Sequence, residues 1–197
     1  YQDGAVPKVY ATHPNNSVLA QIRYGAGVAS SSTGKTEITL NGVNWVDAAP
    51  DGSRVYASTK PALMSPAPVT MSACDWSVTA PTPVAIAGVS AALVTGDFYE
   101  EIRFSSATPA MFAYVAEDMI TNKLTPIDGT NNTGVGGTGA PTALNPFTVS
   151  VDPSSTFAFV GQRPASGGTS VQVFDVSAGA VFAPAAFCDA PCYKDFR

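Results

Sequence analysis

The sequence predicts an all-β protein of short strands and frequent turns, and three observations carry that expectation. Charged residues make up 13% of the chain, against roughly 25% in an ordinary soluble domain. Turn formers are abundant, with 17 glycines and 16 prolines in 197 residues, so helix has little room. The third is residues 147–176, FTVSVDPSSTFAFVGQRPASGGTSVQVFDV, which read as three consecutive strands. Phe147, Val149 and Val151 alternate with polar residues, Asp152-Pro153-Ser154-Ser155 supplies a turn, and Phe157 to Val160 is a wholly apolar run. Gly167-Gly168 reverses the chain again into Val171, Val173, Phe174 and Val176. The middle strand of this meander is expected to be buried on both faces.

The remaining elements follow in order. Residues 7–12 form a strand that ends at the turn His13-Pro14-Asn15-Asn16, and residues 17–24 are its partner. Gly25 to Gly34 is a Gly- and Ser-rich loop, and Thr36 to Leu40 alternates as a strand. Asn41-Gly42 has the signature of a tight two-residue hairpin with φ > 0 at both central positions. Val43 to Asp47 is the next strand, leading through Ala49-Pro50-Asp51-Gly52 into SRVYAST. Val69 to Ala73 and Val84 to Val94 are expected as its outer partners. Glu101 to Ser105, the turn Ala107-Thr108-Pro109 and Met111 to Ala116 repeat the order, followed by Leu124 to Asp128. Ser170 to Val176 and Val181 to Phe187 close the chain's strand list.

Three times, then, a strand leads through a Pro-bearing turn into an aromatic-containing apolar strand. The turn prolines at 50, 109 and 153 are 59 and 44 positions apart, near the roughly 40 to 50 residue period of propeller blades. The segments VDAAPDGSRVYAS, IRFSSATPAMFAYVAED and VSVDPSSTFAFVGQ resemble the inner strands of the YVTN and lactonase-like β-propeller superfamily, and VYATHPNNSVLAQI resembles the second and third strands of such a blade. The resemblance implies a propeller-like array of about four blades over a single all-β domain, residues 1–197, which could itself belong to a larger propeller. A two-sheet β-sandwich or jelly roll is the alternative pattern. The first unit is expected to lack an inner strand, which a partner chain or the C-terminal tail, residues 188–197, would supply.

Composition narrows the function. A net charge of -5 with ten scattered Lys and Arg argues against nucleic acid as a partner. No apolar run reaches the roughly 18 to 20 residues of a membrane-spanning helix. Tyr1 in place of an initiator Met suggests removal of a secretory signal and a secreted, periplasmic or cell-surface location, with which the sequons at Asn15 and Asn131 are compatible. His13 is the only histidine, and no strained G-x-S-x-G elbow presents a serine to it, so a solvent-facing turn residue is expected. The Gly-rich stretch 130–142 follows no strand-to-helix transition and reads as a surface loop or assembly contact.

Two sets of residues remain as sites. Cys188 and Cys192 could form a local disulfide pinning the tail, leaving Cys74 over; pairing of Cys74 with either of them is the other possibility. Asp97, Glu100, Glu101 and Asp118 offer hard oxygen ligands suited to Ca²⁺, and the superfamily resemblance implies a divalent cation in a central channel. A solvated rim is the plainer reading of these carboxylates, and no cofactor is otherwise expected. The sequence thus points first to an exported non-enzymatic module that binds proteins or self-assembles. The alternative is a lactonase-like hydrolase or a propeller subunit of a periplasmic oxidoreductase.

Overall fold

A computed structural model describes residues 2–3, 6–13, 17–24, 32–59, 71–75, 82–86, 98–105, 112–118, 122–135, 140–142, 144–163, 170–177 and 184–188. These residues are strands and connections, with no helix among them. The first sheet holds β1 (Gln2–Asp3), β2 (Val6–His13), β3 (Val18–Tyr24) and β4 (Ser32–Thr39) in that order. The second holds β5 (Val43–Ala48), β6 (Arg54–Thr59), β7 (Met71–Asp75) and β8 (Val84–Ala85). In the third, β9 (Phe98–Phe104), β10 (Phe112–Asp118) and β11 (Lys123–Asp128) are followed by β12 (Thr133–Gly134) and β13 (Ala140–Pro141), both paired with β11. The fourth comprises β14 (Asn145–Val151), β15 (Phe157–Arg163), β16 (Ser170–Asp175) and β17 (Pro184–Cys188). All pairings are antiparallel, and each sheet is built from a contiguous piece of sequence.

Three separate apolar layers lie between consecutive sheets. Leu19, Leu40, Val43, Val55, Ala57 and Cys74 fill the first, with Tyr10 and Ile38 against them. Tyr56, Met71, Ala73 and Ile86 of the second sheet meet Ile102, Phe104, Ala113, Val115 and Ile127 of the third, and the rings of Tyr56 and Phe104 are tilted with centroids 4.6 Å apart. Tyr114 and Leu124 of the third sheet meet Val149, Ala158, Val160 and Phe174 of the fourth. A strand lying between two such layers must be apolar on both faces, which explains the continuous burial of Val55 to Thr59 and Ala113 to Glu117. In β15 burial is weaker: Phe157 is exposed and Phe159 half-buried.

The packing follows a rule. The first strand of each later sheet lies on the leading strands of the sheet before it: β5 on β2, β9 on β5 and β6, β14 on β9 and β10. Among the described residues no comparable packing joins the first sheet to the fourth. Each of these first strands also carries a β-bulge near the far end of its partner strand. Asn44 is the extra residue in β5, Glu100 and Glu101 stand opposite Ala116 in β9, and Phe147 is extra in β14. A bulge bends a strand and sharpens its local twist.

Several sequence expectations change here. Asn41-Gly42 does not make a hairpin: it joins β4 to β5 across two sheets, only Gly42 (φ 69°) of the two has positive φ, and the Val43 N–H closes the turn on the Leu40 carbonyl at 3.2 Å. The second central glycine of such a turn demands positive φ while the residue before it does not. The Gly25–Gly34 loop ends earlier, because Ser32 to Gly34 already pair with β3. The first unit has an upstream strand, β1, paired through Gln2–Pro7 and Asp3–Val6. The turn at residues 107–109, most of 84–94 and the tail beyond Cys188 lie outside the described residues.

Candidate functional site

The chemistry-bearing side chains of the described residues collect on the first strands and the joints between sheets. Asp47, in β5, is half-buried. Its Oδ2 accepts from the Phe104 N–H of β9 at 2.8 Å and its Oδ1 from the Ala48 N–H at 3.0 Å. Burial pushes its pKa up, while the Phe104 amide, the Arg103 charge and the Ala48 amide pull it down and the Glu101 charge pushes it up again; the net direction is upward.

Glu101 does the same one sheet further on. Its Oε2 accepts from the Val149 N–H of β14 at 3.1 Å and from the Thr148 hydroxyl, while Oε1 pairs with the Arg103 guanidinium. The first joint is made with a hydroxyl, Thr12 Oγ1 donating to the Asn44 carbonyl at 3.2 Å. First strands are sheet edges with unpaired backbone groups, and an unpaired amide out of water costs about 1–3 kcal/mol. In each joint a polar side chain from the preceding sheet satisfies one such group.

A further carboxylate, Glu117, is wholly buried in β10, where Thr125 Oγ1 donates to it and Lys123 Nζ lies 3.6 Å from its Oε2. Its counterpart in the fourth sheet is Gln162, whose amide donates to Gln172 Oε1 at 2.6 Å. Gln162 Oε1 and Ser170 Oγ are buried without a protein partner and stand opposite each other in β15 and β16. Groups so placed suit an internal water. Between the second and third sheets, Tyr56 Oη donates to Asn132 Oδ1 at 2.8 Å, and Arg54 donates to the Thr130 carbonyl at 2.9 Å.

The four carboxylates singled out as metal ligands are distributed differently from the expectation. Asp97 lies outside the described residues. Glu100 and Glu101 belong to strand β9 rather than to a loop, and Asp118 is the last residue of β10, opposite Phe98. Glu101 is already engaged with Arg103, Thr148 and Val149. Among the described residues no three His, Cys, Asp or Glu side chains converge on one point. His13 is the last residue of β2, paired with Val18, not a turn residue. Cys74 is a free, buried thiol, which removes the alternative of pairing it with Cys188 or Cys192, and no disulfide occurs among the described residues. Burial pushes that thiol up to about 12. Cys188 ends β17, and its proposed partner Cys192 lies outside the described residues.

Asp47 was the residue sequence reading missed. Its signal was a carboxylate in an otherwise half-buried strand, VNWVDA, directly ahead of a Pro turn. Three other aspartates shape turns. Asp152 accepts from the amides of Ser154, Thr156 and Phe157, Asp128 from those of Thr130 and Asn131, and Asp175 from that of Ser177.

No protein family profile and no curated protein matches the sequence. Solved structures share the fold at low identity. Hydrazine synthase of Kuenenia stuttgartiensis is similar over 91% of this chain and 48% of its own, at 17% identity and a TM-score of 0.62. A Bacteroides fragilis protein assigned as a 6-phosphogluconolactonase is similar over 96% of this chain and 60% of its own, at 14% identity and a TM-score of 0.59. TolB of Acinetobacter baumannii is similar over 91% and 43%, at 11% identity and a TM-score of 0.51. The chain therefore spans between two fifths and three fifths of these three structures. Likeness at this level shows that the all-β fold is shared with these structures, and a shared fold carries no activity with it.

Proposed function

We propose that this chain is a four-bladed propeller segment that serves as a subunit of an exported enzyme assembly, contributing wall and contact surface rather than reacting groups. The observation that carries this reading is the engagement of its inner-strand carboxylates. Asp47 and Glu101, the groups best placed to act on a ligand, are both bonded to the backbone of the next sheet. A carboxylate held by backbone amides of two elements is fixed in the structure, with fewer acceptor sites and less freedom to approach a ligand. Likeness to hydrazine synthase, at the TM-score of 0.62, supports placing such a segment within an oxidoreductase assembly. The test is the purified chain alone, assayed for hydrolysis of aldonolactones with and without Ca²⁺ and analysed for bound metal. Inactivity with no stoichiometric metal is the expected result; turnover that needs a bound divalent ion would overturn the reading.

The second reading is a lactonase-like hydrolase. It is favoured by the likeness to the Bacteroides fragilis protein and by Glu100 and Glu101 standing together at the β9 bulge, a feature that recurs beside active sites. In that case Asp97, Glu100 and Asp118 would hold a Ca²⁺, Glu101 being engaged at the joint with the fourth sheet. Calcium-dependent thermal stabilisation, lost in Glu100→Gln, separates this from the first reading.

A further inference from the structure

The second strands of the four sheets share one sequence register. VYATH in β2, VYAST in β6, AYVAE in β10 and AFVGQ in β15 align so that Val9, Val55, Ala113 and Ala158 are equivalent, as are Tyr10, Tyr56, Tyr114 and Phe159. The first set faces the preceding sheet, and the second faces the following one. Where a neighbour exists, burial is complete: Val55, Ala113 and Ala158 are 0% exposed, and Tyr56 and Tyr114 are 0% and 1% exposed. At the two ends of the array the same positions stand open. Val9 is 46% exposed, and Phe159 is half-buried beside Phe157 at 38%.

Each open position sits in an apolar face of its own. Around Val9 lie Ala11, Val18 and Ile22, all half-buried, with the Lys35–Glu37 ion pair at the margin. Around Phe159 lie Phe157, Val171 and Val173, set on one face by the β15–β16 register, with the exposed Asp175 opposite Phe157 at its margin. Phe112, the equivalent of Phe157, packs into the layer shared with the fourth sheet. The back of the first sheet and the front of the fourth are thus the two halves of an interface that the chain makes three times internally.

We propose that these two faces pair between two copies of this chain, the back of the first sheet of one copy lying on the front of the fourth sheet of the other, twice, to close an eight-sheet assembly. The occupant follows from continuity: the partner face each end requires is the one carried at the other end of the same chain, and the described residues do not bring the two ends together. A stack with both faces on one molecule is heterologous, and it closes or polymerises. This pairing does not depend on the proposed activity.

The test is sedimentation and light scattering of the whole chain across a concentration series. A mass of about 40 kDa, twice the chain's 20.2 kDa, is expected. Val9→Asp and Phe157→Asp, both at exposed positions, each reduce it to the monomer, and an equimolar mixture of the two variants recovers dimer, because one of the two joints is then free of charge. Val84→Asp, at a 59% exposed position on the outer edge of the second sheet, leaves the dimer intact. A monomeric wild type at every concentration overturns the proposal. So does a dimer broken by Val9→Asp but not by Phe157→Asp, which would mean pairing through two first sheets.

Discussion

Glu101 and Gly161 illustrate how much rests on single side chains at the joints. A Cβ on Gly161 would stand 2.4 Å from Thr148 Cγ2, and the Thr148 hydroxyl is committed to Glu101. Gly161→Ala therefore cannot be relieved by turning Thr148 without opening the joint between the third and fourth sheets. Overpacking of this kind costs about 1–3 kcal/mol, read as a lower midpoint in urea with an unchanged slope; a midpoint within error of wild type would show that Thr148 moves freely. Glu101→Ala leaves the Val149 amide without its acceptor, and a loss of about 1–3 kcal/mol is expected from the unsatisfied group. Cys74 gives a chemical readout of the same interior. With its thiol pushed up to about 12 by burial, it stays unmodified by a maleimide in the native protein and reacts on unfolding. None of these three roles was legible in the sequence: a glycine, a glutamate and a cysteine each read the same whether they face a joint or solvent.

At the scale of the element, the turns were the legible part. Ala49-Pro50-Asp51-Gly52 and Asp152-Pro153-Ser154-Ser155 fold alike, each closed by an amide on the first carbonyl at 2.8 Å, with positive φ at Gly52 (69°) and Ser155 (58°). Pro at the second position and a left-handed fourth residue announce such turns. Strand limits were read well wherever a turn bounded them and poorly where a bulge or an inter-sheet connection intervened, as at Asn41-Gly42, since both depend on contacts distant in sequence. The turn aspartates also set an acid limit. Asp152 loses some stabilisation of its charge to desolvation, but the amides of Phe157, Thr156 and Ser154 and the Ser154 hydroxyl outweigh it and hold the carboxyl below the usual 3.8. Asp128 behaves likewise through Asn131 and Thr130. A lowered folded pKa gives stability that is present above pH 3.8 and is lost as pH falls through the folded value. Asp47 has the opposite sign: its raised folded pKa gives stability that is full below pH 3.8 and lost as pH rises through the folded value. Asp47→Asn cannot ionise and keeps one of the two amide contacts, so the melting temperature of the variant relative to wild type is expected to rise from pH 4 to pH 7. An equal gap at both pH values would show that Asp47 is not the group responsible.

Over the whole molecule, the all-β class, the fourfold division and the double burial of β6 and β10 followed from turn spacing and apolar runs, because those signals are local; β15, expected to be buried on both faces, has one face open because no sheet covers it among the described residues. The joints did not, since register between sheets has no periodic signature. The carboxylates expected to converge on a metal were judged by their nearness in sequence, yet Glu101 points into a joint and Asp97 is beyond the described residues. Burial predicts a graded stability. In the monomeric Val9→Asp variant, amides of β3 and β15, in sheets covered on one face, should exchange with deuterium at lower opening free energy than those of β6 and β10. Uniform protection would mean that the four sheets open as one unit.

The packing of each first strand on the sheet that precedes it in sequence also has a consequence for synthesis. Thr12, Asp47 and Glu101 are each in place before the backbone group they hold has been made. A chain leaving the ribosome from its N-terminus therefore meets a finished surface at every step, and each new hairpin docks on structure already formed behind it. Assembly in that direction leaves the forward face of each sheet, carried by Tyr10, Tyr56 and Tyr114, bare only until the next sheet is translated.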